Sequence, residues 1–357
     1  MSRKHFSWLL FITFLVAALV LMLPGKTGRE SSLEQSDFLP QLAARANEVE
    51  WLRLTGAGDA VIATLTRDGN AWVVEEGAGY RADWGQLKSV LAGLANARIV
   101  EVKTDNPDYY TRLGVEDVSA AEAAGVMLEF AEGSGIPAVI VGNDANARAG
   151  QYVRLRDSAA SVLIDSRVNL PKTTSGWLDK DIIDISDAEV VEYTIEHPDG
   201  VIVEATKASA DDEDFELQEI PEGREIRSAW TVNAPANSLA ALTLEAVLPA
   251  ADLNWDEPVQ FRLLTADGLT IDSELVTVQT KDEDSSGEEH WLKLRAGVFT
   301  TAVENAYSAA AKDDSETRFR AGEINRRVDG WAYRVPRYKY DSIARKMEDM
   351  LQPAGDN

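Results

Sequence analysis

The 357-residue chain contains no cysteine and only three histidines. The first absence excludes disulfides, thiolate nucleophiles, Cys-ligated zinc or iron–sulfur sites, and a lipid anchor attached through cysteine. Imidazole-based chemistry can use only His5, His197 and His290. His5 lies in a basic N-terminal flank, His197 stands before Pro198 in a turn, and His290 opens an expected strand. No serine sits in a G-x-S-x-G elbow, and no H-E-x-x-H or His-x-His spacing occurs. Basic charge is also short: 35 Lys and Arg against 60 Asp and Glu leave a net charge of −25. Such a surface repels nucleic acid and anionic headgroups, so no nucleic-acid partner is expected.

One long apolar run is present. Phe6–Leu23 is eighteen uncharged residues behind Arg3 and Lys4. At 1.5 Å per residue it covers about 27 Å, close to the thickness of a bilayer core. No small-x-small cleavage site follows Leu23, so the run reads as an uncleaved anchor, with a cleaved signal as the other reading. Arg3 and Lys4 place residues 1–5 in the cytoplasm and the bulk of the chain outside it. The expected location is the inner membrane, single-pass, with an extracytoplasmic body. "LPGKTG" at 23–28 resembles both a phosphate loop and a sortase signal. A phosphate loop needs a glycine five residues before Gly25, where Val20 stands within the apolar run, and a sortase signal has no lysine at Lys26. Residues 24–44 read as a tether.

The remainder carries one pattern twice. Val49, Leu52 and Leu54, a turn, then Val61 and Ile62 recur as Val190, Tyr193 and Ile195, a turn, then Val201 and Ile202. The offsets are 141 and 140 residues. Each copy begins as a hairpin with alternate residues facing a core. In the first, Asp83 caps a helix bearing Leu87, Val90, Leu91 and Leu94 on one face. In the second, Phe215–Gln218 reads as a strand and residues 233–248 as a helix with Leu239, Leu242 and Val247 inward. Four strands then follow in each copy: Val126–Phe130, Ala138–Val141, Gln151–Arg156 and Val162–Ile164, then Val259–Leu264, Ile271–Thr280, His290–Leu294 and Trp331–Arg334. The expected fold is α+β, an N-terminal transmembrane helix followed by two duplicated domains, each a mostly antiparallel sheet with a packed helix. They span 45–183 and 184–357, the second with a helical insertion near 298–327 and a closing helix over Ser342–Leu351.

Candidate sites are weak. Asp282, Asp284, Ser286 and Gly287 fit the first, third, fifth and sixth places of a calcium loop, but its twelfth place is Lys293 where a bidentate glutamate is required. A solvated hairpin is the better reading. The acids at 211–214 read as a charged loop. Among the tryptophans, Trp8 lies in the apolar run, Trp72 and Trp84 suit a core, and Trp177, Trp255 and Trp331 are flanked by charge, which fits sugar-stacking residues but better fits residues bridging the sheet edge to a loop. No catalytic residue, metal or cofactor is assigned, and an enzyme is not expected.

"NEVEWLRL" at 47–54, the run from Gly69 to Thr104, "YYTRLGVED" at 109–117 and "WLDKDIIDI" at 177–185 together resemble the bacterial family catalogued as domain of unknown function 4340. The resemblance implies a membrane-anchored extracytoplasmic protein without established activity. It also implies a partner: the permease or auxiliary subunit of a gliding-motility-type ABC transporter. The expected function is therefore an accessory or scaffold subunit. The alternative is a glycan- or small-solute-binding protein, which would show a concave, aromatic-lined pocket between the domains.

Overall fold

The computed structural model describes residues 36–146, 149–282, 285–299 and 314–353. The expected anchor at 6–23, most of the tether, His5 and Asp284 lie outside these. Among the described residues no helix is long and apolar enough to cross a membrane. The chain divides into two compact units, residues 1–76 with 84–177, and residues 77–83 with 178–357.

The first unit holds β1 (Trp51–Thr55), β2 (Val61–Asp68), β3 (Ala71–Val74), β4 (Ile99–Val102), β5 (Val126–Phe130), β6 (Val139–Asp144), β7 (Gln151–Leu155) and β8 (Ser161–Ile164). Its helices are α1 (Pro40–Arg45), α2 (Trp84–Ala95) and α3 (Tyr110–Leu113). The strands lie in the order β3-β2-β1-β5-β6-β7-β8-β4, and the register between neighbours is antiparallel. Because side chains alternate along a strand, Leu52, Leu54, Leu65, Leu128, Val139 and Val153 are fully buried on the inner face. The i, i+3, i+4, i+7 spacing of Leu87, Val90, Leu91 and Leu94 makes α2 amphipathic, and all four are buried. Helix α2 packs against α1, where Leu42 is buried.

The outer face of this sheet is covered by residues 103–125, the connection from β4 to β5. Tyr110, Val115 and Val118 from that connection form a cluster with Met127 of β5 and Ile140 of β6. Close approach is possible because Gly142 has no side chain: a Cβ there would lie 2.4 Å from the Leu113 carbonyl oxygen. Gly114 ends α3 in the left-handed region, at φ 68°, a conformation that costs glycine little.

The second unit holds β9 (Asp181–Ile183), β10 (Val190–Glu196), β11 (Ile202–Thr206), β12 (Glu216–Leu217), β13 (Leu242–Thr243), β14 (Ala246–Pro249), β15 (Val259–Thr265), β16 (Leu269–Asp282), β17 (Ser285–Val298) and β18 (Trp331–Val335). Its helices are α4 (Ala229–Asn233), α5 (Asp314–Val328), α6 (Arg337–Ile343) and α7 (Met347–Met350). Eight strands form an antiparallel sheet in the order β12-β11-β10-β15-β16-β17-β18-β14, while β9 and β13 pair separately. Counted within its own unit, each large sheet visits its strands in the same sequence. Tyr193, Ile195, Val203, Phe261, Leu263, Ile271 and Leu292 line the inner face of the second sheet. The Tyr193 hydroxyl donates to the Val232 carbonyl at 2.6 Å, and burial raises its pKa.

Both units are thus mostly antiparallel sheet with few helices, the α+β class expected. Two local expectations fail. Residues 233–248 are not a helix: α4 stops at Asn233, turns continue to Ala241, whose φ is 44°, and the rest enters β13 and β14. The apolar spacing there is satisfied by strand pairing, since Leu242 and Val247 are buried as strand residues. Residues 342–351 are not one helix either. The chain leaves helical geometry after Ile343, with Lys346 extended at ψ 155°, and α7 then ends where Leu351 bridges Ile226 and Arg227 N–H donates to the Met350 carbonyl at 2.7 Å. The helix expected near 298–327 is α5 among the described residues, and β17 runs on to Val298. Asn325 of α5 both donates to and accepts from the Ala296 backbone, each at 2.8 Å.

Candidate functional site

The outer face of the second sheet is less covered than that of the first. Its β14–β15 connection is only residues 250–258, and Ala250, Leu253 and Trp255 cover just the end carrying Val276, Trp291 and Ala332. What stays open is a groove of about 510 Å³ whose floor is formed by β10, β15, β16 and β17.

The register sets out that floor in rows. One row runs Thr194, Arg262, Asp272, Arg295, and the next Glu196, Gln260, Glu274, Lys293. Alternation along the strands turns these polar residues outward while Ile195, Phe261 and Leu294 stay buried. Arg262 pairs with Asp272 at 2.5 Å and Lys293 with Glu274 at 2.9 Å. Lys293 Nζ also lies 4.4 Å from the Trp255 ring centroid, whose Nε1 donates to the Ala250 carbonyl at 2.8 Å. Glu192 continues β10, and its carboxyl is pushed above the usual range by burial and by Glu204, against the opposing pull of Arg262. Phe299 and Trp331 contribute aromatic surface to the lining.

Trp331 is held from behind by residues 77–83. Tyr80, fully buried, meets the Trp331 ring edge-on at 5.0 Å and the Tyr333 ring at 6.1 Å. Burial raises the pKa of both phenols. Arg81 fastens the segment: its Nε contacts Asp179 at 2.6 Å, and its two terminal nitrogens donate to the carbonyls of Arg327 and Asp181 at 2.7 and 2.5 Å.

The residues singled out from sequence are scattered. His197 is buried, its Nε2 3.4 Å from the Arg345 carbonyl, and its N–H closes the turn to Val201. His290 is buried with Nδ1 3.2 Å from Thr277 Oγ1 and its ring stacked 4.3 Å from Tyr340. Neither imidazole is brought to a serine or carboxylate by these contacts. Asp282, Ser286 and Gly287 belong to the β16–β17 hairpin, as Asp282↔Ser285 and Thr280↔Gly287 show. Lys293 stands well inside β17, opposite Glu274. Among the described residues no group of three or more His, Asp or Glu could hold a metal. In the 211–214 loop Asp212 accepts from Ser209 N–H and Asp214 from Asn233 Nδ2, both at 2.8 Å.

Of the tryptophans expected in a core, Trp72 is buried, but Trp84 at the start of α2 is 54% exposed. Trp177, flanked by charge in the sequence, is fully buried, with Nε1 donating to the Pro171 carbonyl. Trp230 is 70% exposed and has the Arg345 guanidinium 5.5 Å from its ring, a feature its apolar-looking neighbours do not announce. The groove itself escaped the sequence reading because its residues come from four strands and converge only through register.

Fold and groove define a class: an α+β protein built of antiparallel sheets that carries a charged, aromatic-flanked cleft. The chain belongs to the family described as "Domain of unknown function (DUF4340)", whose model matches residues 72–261. No curated protein and no solved structure matches the chain.

Proposed function

We propose that this protein is a membrane-anchored extracytoplasmic accessory subunit, non-catalytic, that works by contact with the permease or auxiliary subunit of an ABC-type transporter. The observation that carries the reading is the run Phe6–Leu23 behind Arg3 and Lys4, in a chain that belongs to this family. An anchor confines the body to one membrane and raises the effective concentration of a membrane partner, so a modest interface suffices. We also read the body as a duplication. The two offsets of 141 and 140 residues support this, as does the shared strand order of the two sheets.

Photo-crosslinkers placed at Glu30 and at the exposed Tyr338 in cells are expected to capture a polytopic membrane protein. Intact mass of the membrane fraction is expected to include residues 1–23. A mature chain starting near Gly25 removes the anchor, and self-adducts alone remove the partner.

A second reading, a glycan- or small-solute-binding protein, is favoured by the groove of about 510 Å³. That groove lies wholly on residues of the second unit.

A further inference from the structure

The same sheet face is treated differently in the two units. Residues 103–125 cover it in the first, while the shorter connection 250–258 leaves it open over β10, β15, β16 and β17. An uncovered face of this kind exposes polar side chains whose charges need partners, and the register shows which ones have them. The middle of the floor is neutralised by the pairs Arg262–Asp272 and Glu274–Lys293. The two ends are not. On β10, Glu192 and Glu196 make no ion pair among the described residues; Arg262, already paired with Asp272, pulls on Glu192 from the next strand, while Glu204 on the other side adds to the negative field. On β17, the exposed Arg295 is left over once Asp272 is committed to Arg262.

The groove therefore has acids without ion pairs over β10 and Arg295 over β17, where Asp329 also joins the lining. Three strand spacings of about 4.8 Å separate β10 from β17, or about 14 Å. That is the length of about four residues of extended chain. A glycan offers no pair of opposite charges at this separation, whereas a short peptide with free ends does.

We propose that this groove binds a short extended peptide. Its amino end lies over Glu192 and Glu196, its carboxyl end meets Arg295, and its side chains lie near Phe299 and Trp331. The inference names the ligand class for the groove on which the binding-protein reading rests, and it is independent of a transporter partner.

The test is calorimetric titration of the full chain, purified in detergent, with tetra-alanine carrying free ends. Its N-acetylated and C-amidated forms and the neutral tetrasaccharide cellotetraose serve as comparisons. Free tetra-alanine is expected to bind with Kd of about 1 mM or tighter. Each cap is expected to weaken it about fivefold, as loss of one solvent-exposed ion pair does. In the double variant Glu192→Gln/Glu196→Gln, acetylation should no longer matter; in Arg295→Gln, amidation should no longer matter. These side chains are outward-facing and polar, and unchanged circular dichroism will show that the variants fold.

Equal binding of capped and free peptides overturns the proposal, as does cap sensitivity that survives both variants. Binding of cellotetraose without tetra-alanine overturns the peptide assignment while leaving the binding-protein reading in place. Binding of neither overturns both.

Discussion

At the scale of single residues, Gly142 is set by the space above it. A Cβ at this position would stand 2.4 Å and 2.6 Å from the carbonyl oxygens of Leu113 and Gly114, which are backbone atoms and cannot swing aside. Gly142→Ala is expected to destabilise the protein by about 2–3 kcal/mol, read as a lower urea midpoint. Gly322 is the counterexample: it lies in α5 with nothing within 4 Å of its would-be Cβ. Gly322→Ala should stabilise by about 0.5–1 kcal/mol, because alanine loses less backbone freedom in a helix. Glu192 gives a pH dependence. Its carboxyl is raised in the folded protein by burial and by Glu204, so the folded state binds the proton more tightly than the unfolded state. Stability from this group is therefore lost as pH rises from the ordinary carboxylate range through the raised folded value. Glu192→Gln is expected to raise the melting temperature at pH 7 and leave it little changed at pH 4. An equal rise at both would show that charge is not the cause.

At the scale of elements, Arg154 adds a polar clamp to the apolar cluster that holds the connection 103–125. This arginine of β7 is 4% exposed, yet its Nε donates to the Val115 carbonyl at 2.8 Å and one terminal nitrogen to the carbonyls of Arg156 and Ser158. The other terminal nitrogen pairs with Asp117, and the guanidinium lies 4.7 Å from the Tyr110 ring centroid. The buried cation is thus matched to backbone oxygens that have lost their water. Arg154→Met keeps the stem and removes the donors, leaving those carbonyls unsatisfied, at about 2–4 kcal/mol. Limited trypsin digestion should then cut faster after Arg112, which sits in the released connection. Cleavage there at the wild-type rate would show that the apolar cluster alone holds it. The segment "YYTRLGVED" is accounted for by this clamp: Tyr110 and Val115 are buried, Gly114 turns the chain, and Asp117 receives Arg154.

At the scale of the whole molecule, the chain passes from one unit to the other at 76/77, at 83/84 and at 177/178. The second unit is consequently not a continuous stretch of sequence. A fragment of residues 178–357 lacks Tyr80, and with it the ring that packs on Trp331 and Tyr333. Emptying the site of a fully buried aromatic side chain costs about 3–5 kcal/mol. The fragment is expected to unfold about 10 °C below the corresponding transition of the full chain. A synthetic peptide of residues 77–83 should recover part of the difference. A fragment as stable as the full chain would show that Tyr80 and Arg81 only lean on a core complete without them.

Local pattern determined most elements. Alternation specified β1, β5 and β15, and the spacing of Leu87, Val90, Leu91 and Leu94 specified α2, because a two-residue or 3.6-residue period places apolar groups on one side whatever the surroundings. Family membership was legible too, in the motifs between Asn47 and Ile185. Tertiary structure decided what period cannot. It turned the helical-looking run after Asn233 into β13 and β14, since Leu242 and Val247 gain as much burial in a strand and the sheet also supplies their backbone partners. It broke the C-terminal helix at 344–346 and ended its last turn where Leu351 bridges Ile226. It placed Trp84 in solvent and Trp177 in the core. It also assembled the groove, whose charges lie far apart in the chain and become neighbours only when four strands pair in one register. Periodicity reports which side of an element is buried; which element lies beside it depends on the free energy of the whole fold.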